Sequence, residues 1–446
     1  MSFKLIPNDI PLPVPTGGLE IVDAVLTLLL VVAWLVHILF INVLLGASTG
    51  SVYFNKRGAR ENNPVFDRVG YLLTTPVTIS ENMGALWGVA PLLLISVMFT
   101  PLFYAAAIMN SPQWLHIIYG NIAAFLLSYL YKFTWHKLEH RKSLHIAIGT
   151  SAVALFLTLP LVFMATVQLY LTPTTWSEDT HFWDALFRAD TFFRLVHFYL
   201  ASFAVTGLFM LIYGSAKRKS EDEIDRKAGD VLVNTGKSWF LVPTVLNLFA
   251  GPLVLFHFPS YGIENFFNAG WHWLIAIGVV SILGAAYLTL KDFFNPELST
   301  GMLWSIIGLA LVTVLSMATL RHGMRLSLTS EALAQSRAQS DDFVQRSQAA
   351  AEAAKAAPKA VSTTGISAGE EAANKHGCLA CHSVEQKLVG PAYKDVAARG
   401  YAEREIIDLI YVPRPENWPG FIPMPPQAQV SKDDAAAIAK WINSLK

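Results

Sequence analysis

The chain has 446 residues, of which 53% are hydrophobic and 15% charged. Its mean hydropathy is +0.41. Soluble domains carry about 25% charged residues, so the composition is that of a membrane protein. Lys plus Arg and Asp plus Glu balance at 33 each, leaving no net field to draw in nucleic acid. Two cysteines exclude both a disulfide-rich scaffold and a four-cysteine metal site within one chain.

Met1 to Gly18 is proline-rich with one lysine and shows no cleavable signal peptide, so the first apolar run is expected to be a retained span. Eight runs reach the length of about 20 apolar residues that a bilayer requires. They cover roughly 21–54, 70–103, 114–134, 144–171, 191–214, 238–258, 270–290 and 300–320. Basic residues set the orientation. Lys56, Arg57, Arg60 and Arg68 follow span one, Lys132, Lys137, Arg141 and Lys142 follow span three, and Lys217, Arg218, Lys219, Arg226 and Lys227 follow span five. The alternate connections are uncharged or acidic, with Glu178, Asp179, Asp184 and Asp190 after span four and Glu264 after span six. Odd-numbered connections are therefore expected in the cytoplasm and both termini outside.

Ionisable groups inside spans are costly and are functional candidates by default. His37 lies in span one, His116 opens span three, His197 begins span five, His257 closes span six, His272 opens span seven and His322 follows span eight. All six fall in the outer half. A lone buried histidine is usually a packing residue, but six expected at one level of an apolar bundle point to b-type haem, whose iron binds neutral imidazole. Arg194 stands one turn before His197, placed either to neutralise a haem propionate or to anchor a helix at the interface, and Arg321 and Arg325 flank His322, either in water beside it or paired with haem propionates. Glu81 in span two either hydrogen-bonds a neighbouring helix or handles protons or quinol. His136, His140 and His145 read as a solvated loop, and His181 and His376 as exposed.

From about residue 326 to 367 the composition turns to Ala, Ser, Gln, Glu and Lys, which reads as a linker, although Ser327 to Ala357 could form a polar helix. Residues 1–325 are thus expected to be the membrane bundle and 368–446 a compact domain too small to fold without a staple. That staple is legible. Cys378-Leu379-Ala380-Cys381-His382 is the C-x-x-C-H signature of c-type haem attachment, in which two thiols add to the vinyl groups and His382 meets the iron. Met424 is the lone methionine of this segment and the forced choice of sixth ligand.

This C-terminal segment resembles a class I cytochrome c, through Lys387-Leu388-Val389-Gly390-Pro391, Ile422-Pro423-Met424-Pro425-Pro426 and Lys440-Trp441. The resemblance implies one covalent haem with His382 and Met424 as axial ligands, attached outside the cytoplasm. The bundle resembles subunit I of the cytochrome bd quinol oxidase superfamily. The stretches that carry this are Ala33 to Phe40, Thr74 to Leu92 with Glu81-Asn82-Met83-Gly84, Phe133 to Leu138, and Arg194 to His197 with Val205-Thr206-Gly207. By that resemblance His37 and His116 line the place of the family's haem pair, His197 ligates a low-spin b haem, and His272 falls where a methionine completes it.

The departures are informative. The oxidases' long quinol-binding loop between spans six and seven is about a dozen residues here, and glutamates of the oxygen-reducing haem pair are replaced. A haem held by two histidines has no place for oxygen. The expectation is an all-α polytopic bundle of the bacterial inner membrane with three b haems, fused to a periplasmic class I cytochrome c domain. His197 with His272 would hold one b haem, and His37, His116, His257 and His322 two more. The chain would pass electrons between the b haems, with quinol as a candidate donor, and the c haem. Its expected partners are lipid, other subunits of a respiratory complex and a soluble periplasmic redox protein. A bd-like terminal oxidase fed by its c domain, and a membrane-anchored c-type cytochrome with a structural bundle, are the alternatives.

Overall fold

A computed structural model describes residues 20–109, 111–173, 182–294, 299–356 and 367–445. The proline-rich start, and Glu178, Asp179 and His181 of the acidic connection, lie outside them. Every regular element described is helical. The chain divides after Ser347 into two compact units.

The first unit contains α1 (Glu20–Glu61), α2 (Pro64–Met98), α3 (Thr100–Met109), α4 (Ser111–Phe133), α5 (Lys142–Leu171), α6 (Phe182–Leu186), α7 (Ala189–Lys217), α8 (Glu223–Phe256), α9 (Ser260–Asn268), α10 (His272–Phe294) and most of α11 (Thr300–Ala356). Eight of these are long and apolar enough to cross a membrane, as expected: α1, α2, α4, α5, α7, α8, α10 and α11. Local chemistry sets the helix starts. Asn63 accepts from the Val65 N–H (2.9 Å) with Pro64 in the first turn, and Asp222 accepts from Ile224 and Asp225 (2.7 and 3.0 Å). Prolines 76, 91, 160, 243 and 252 lie inside spans, where neighbouring helices tolerate the lost backbone bond.

Without a hydrophobic drive between spans, close approach of small residues holds helices together. On the α7–α8 seam, a Cβ added at Gly214 would meet the Gly229 carbonyl at 2.8 Å, and one at Gly236 the Gly207 carbonyl at 2.7 Å. The three basic connections are tied by shared carboxylates. Asp67 pairs with Lys142, and Asp225 takes both Arg68 (2.6 Å) and Lys217 (3.0 Å). These mark one end of the bundle, called the basic end below. Phe99, Phe103, Tyr170, Phe266 and Leu328 form the core at the far end.

Three helices go beyond the eight runs, among them the five-residue α6 before α7. The short α3 follows α2, and the amphipathic α9 fills the connection between spans six and seven. The last helix, α11, runs unbroken past the expected boundary at 325/326. Ser327, Leu328, Thr329, Leu333 and Ser336 are buried, and Tyr261 and Asn265 of α9 donate to the Leu328 and Ser327 carbonyls (both 3.3 Å).

The second unit packs α12 (Ala368–Lys375), α13 (Tyr393–Ala398), α14 (Glu403–Tyr411) and α15 (Lys432–Asn443) around Ala373, Tyr393, Ile406, Ile438 and Trp441. Ser367 and Ser431 cap α12 and α15.

Candidate haem-binding sites

In the second unit, a single tight turn follows α12. His382 N–H donates to the Cys378 carbonyl at 3.0 Å and Cys381 N–H at 3.2 Å, which gathers two thiols and an imidazole within one turn. Cys378 is half-buried, Cys381 exposed, and both are free. Burial pushes the Cys378 thiol up. A carbonyl can only accept, so the 2.8 Å contact between His382 Nδ1 and the Pro391 oxygen places the proton on Nδ1 and leaves Nε2 for iron. The ring also stacks on Tyr393 (4.9 Å between centroids). It lies so close to Gly390 that an added Cβ there would stand 2.7 Å from Nδ1. Met424 is half-buried in a loop held at Gln427, whose N–H donates to Ile410 (3.0 Å), and at Val430, which accepts from the Tyr411 hydroxyl (2.8 Å). His376 is not free surface as expected: its Nε2 bonds Asp434 at 2.8 Å, tying the end of α12 to α15.

The bundle histidines differ in setting. His37 Nδ1–H donates to the Gly84 carbonyl (2.8 Å), leaving Nε2 free, and Gly88 admits its ring, since a Cβ there would lie 2.9 Å from Cε1. His257 caps α8, is exposed, and donates from Nδ1 to Leu253 (2.7 Å) while resting on Phe193. His116 is exposed on α4. Thr158 spends its proton on Leu155, so His116 donates from Nε2 to the Thr158 hydroxyl (3.0 Å). His322 is buried, with Arg325 Nη1 donating to its Nδ1 at 3.3 Å. His197 faces α8: the Asn247 amide, turned to satisfy its surroundings, donates to His197 Nδ1 at 3.2 Å, and a Cβ at Gly251 would lie 3.8 Å from the ring. Ligation through Nε2 would need that amide reversed, so that its oxygen accepts from Nδ1–H. His272 stacks on Phe267, and its buried Nδ1 has no partner.

No two of the six histidines stack on or hydrogen-bond each other among the described residues. Nor do they form one layer. The carbonyl partner of His37 is about four turns from the end of α2, whereas His257 caps α8 and His272 opens α10.

The three arginines converge. Arg325 is buried, donates from Nε to the Tyr170 hydroxyl (3.0 Å) and lies over Phe99 (5.4 Å). Arg321 lies over Trp34 (4.4 Å), one turn from His37, and Arg194 over Phe258 (5.0 Å). None has a carboxylate in salt-bridge range among the described residues. The nearby Asp190 is already engaged by Arg188 (2.8 Å) and Gln168 (2.6 Å). Cations so placed require anions. Haem propionates fit, as does the orphan nitrogen of His272, while Gly88 and Gly251 let the His37 and His197 rings lie close against α2 and α8. The aromatic partners, Asn247 and the two glycines were not found from sequence, because nothing in a linear pattern reports which residues face one another across helices.

Among the remaining candidates, Glu81 is fully buried. Its Oε1 accepts from the Ser128 hydroxyl of α4 and its Oε2 has no partner. His136 and His140 are exposed as expected, but His145 is not in a solvated loop. It is fully buried, donating from Nε2 to the Tyr131 carbonyl (2.8 Å) and accepting from Asn55 (2.9 Å). Gly149, one turn on, packs on Tyr131 and makes room for it beside His145, a close approach that the sequence reading did not use.

Residues 366–446 match the cytochrome c family model. Cytochrome c-551 of Pseudomonas denitrificans is 48% identical over 84 residues, which are 18% of this chain and 100% of that protein. Cytochrome c-551 of Pseudomonas aeruginosa is 50% identical over 74 residues, 16% of this chain and 69% of that one. Cytochrome c-552 of Nitrosomonas europaea is 44% identical over 84 residues, 18% and 80%. In fold, the chain is similar to the bd oxidase structure from Geobacillus thermodenitrificans, with a TM-score of 0.57 and 10% identity over 75% of this chain and 98% of that one. Through its C-terminal domain, with a C-x-x-C-H turn built for covalent haem c, the chain therefore belongs to the cytochrome c family, here joined to a membrane bundle of bd oxidase fold.

Proposed function

We propose that the protein is an electron-transfer cytochrome of the bacterial inner membrane, passing electrons between three b haems in the bundle and the c haem on the periplasmic face. The observation that carries the bundle's part is the convergence of Arg194, Arg321 and Arg325 without a carboxylate, beside His37 and His322. Guanidinium groups there would bind propionates, and each bound haem would supply one-electron chemistry between ferric and ferrous iron. His197 and His272 would hold one haem; His37, His116, His257 and His322 would supply two more, in a pairing left open. The Gly84 carbonyl fixes the His37 tautomer, as an axial ligand needs. In the second unit His382 and Met424 would be the axial pair, with the Pro391 carbonyl orienting the histidine.

Basic connections on the cytoplasmic side and a c domain outside agree with the place where c-type haem is attached. Quinol is the proposed donor within the membrane, other subunits of a respiratory complex the proposed neighbours, and a soluble periplasmic redox protein the outlet. The short α9, packed on α11, occupies the connection between spans six and seven, so quinol would bind elsewhere. Pyridine haemochrome analysis tests the reading. A b:c ratio of three is expected, and a ratio of one overturns it. His197→Ala should remove one b haem and leave the c haem; an unchanged b spectrum refutes that ligand.

A further inference from the structure

Glu81 is a fully buried carboxylate between α2 and α4, one turn of α2 from the carbonyl that holds His37. Its Oε1 accepts from Ser128 Oγ, while Oε2 is buried and unpaired. A small cavity between α1, α2, α4 and α5 is bordered by Ser48, Ser51, Thr74, Ser128 and Tyr131 and by Val77, Ala152 and Phe156, and its open surface is almost wholly apolar. This cavity reaches the partner of Glu81 on one side. On the other, the Tyr131 hydroxyl accepts from Asn55 (2.8 Å), which contacts His145 (2.9 Å) toward the basic end. In the opposite direction along α2, Gly84 is one turn beyond Glu81, and its carbonyl holds His37.

We propose that Glu81 is a redox-linked proton-binding site. It takes up one proton when one electron reaches the haem that His37 would hold, and releases it when that electron leaves. This rests on the reading of His37 as a haem ligand. The step balances: one electron from a one-electron donor, the c haem or a quinol, takes iron from ferric to ferrous, and one proton converts the Glu81 carboxylate to the acid. Net charge stays constant, which matters where the dielectric is low and an added charge is expensive. The charged and titratable groups facing the region are Lys132, whose Nζ donates to Thr78 (2.9 Å), and Tyr129 and Tyr131 from α4, His37 from α1, and His145 from α5. From α8, Lys237 is already paired with Asp292. Lys132 bonds Thr78 and not the carboxylate, which leaves Glu81 Oε2 without a partner among the described residues.

The test is a spectroelectrochemical titration of the purified full-length protein at several pH values. One b component should fall by about 59 mV for each tenfold drop in proton concentration, the one-electron constant. Glu81→Gln should flatten that component with the b:c ratio unchanged. A slope that survives in a variant holding its full haem overturns the proposal alone. His37→Ala reports separately on the ligand, because an unchanged b:c ratio there sinks that reading. If Glu81→Gln fails to retain haem, the wild type decides. Its redox-induced infrared difference spectrum should gain a protonated-carboxyl C=O band on reduction that shifts in heavy water, and the absence of such a band overturns the proposal.

Discussion

Gly390→Ala should loosen the c haem site without touching a ligand. The added Cβ would press hardest on His382 Cε1 and stand 2.7 Å from Nδ1, whereas such contacts settle near about 3.5 Å, so the ring or the loop must yield by at least about 0.8 Å. Neither yields freely. Gly390 N–H is bonded to Cys381 (2.8 Å), and His382 Nδ1–H to Pro391 (2.8 Å). A 0.8 Å retreat of the ring would stretch the latter bond beyond useful length. Overpacking costs about 1–3 kcal/mol, and the lost hydrogen bond about 1 kcal/mol more. At roughly 4–8 °C per kcal/mol for a domain of this size, the melting temperature should fall by about 8–32 °C. Thermal unfolding followed in the haem c absorbance of the full-length protein reads this directly. A melting temperature within about 2 °C of wild type would mean that the histidine is not seated against Gly390 when haem is bound.

Replacing Cys378 and Cys381 together by alanine should abolish haem staining on a denaturing gel; retained stain would contradict covalent attachment by these thiols. Lys237 and Asp292 form a buried pair (2.6 Å; side chains 4% and 1% exposed). Lys237→Ala should cost about 3–5 kcal/mol by stranding the carboxylate, while Lys237→Met with Asp292→Leu should restore most of it in melts in detergent. His376, then Lys375 and the Ser431 hydroxyl, hold Asp434 down at about 2 from its usual 3.8. The folded-state value is the lower one, so the stabilisation is present above the unfolded value and lost as pH falls through about 2. Melting of the c domain should therefore weaken between those two values, and Asp434→Asn should blunt that dependence.

Much of this architecture is written locally in the chain. Span count follows from run length, and C-x-x-C-H with one methionine names its own chemistry, because a covalent haem demands adjacent residues. Tertiary facing is not written that way. His145 sits among basic loop residues in sequence, yet its ring is in the core because α5 begins three residues earlier and Gly149 opens space for Tyr131. The composition of 326–367 suggested a linker that could start as a polar helix from Ser327; the helix is there, but Leu328 and Leu333 lie in the far core, so its first turns belong to the bundle. For the bundle histidines, sequence gave their rank along each helix but neither exposure nor tautomer. His116 and His257 prove exposed, while His37 gains a carbonyl from α2 that no spacing within α1 could announce.

Carbon monoxide added to the fully reduced protein asks directly whether any haem iron has an open position. An electron-transfer cytochrome with histidine–histidine and histidine–methionine haems should show almost no change in its b and c bands. Met424→Ala serves as the positive control, with a full shift confined to the c band. A stoichiometric shift of a b haem in the wild type, joined by oxygen consumption with a reduced donor at the rate of an oxidase, would contradict the account and make the bundle a terminal oxidase.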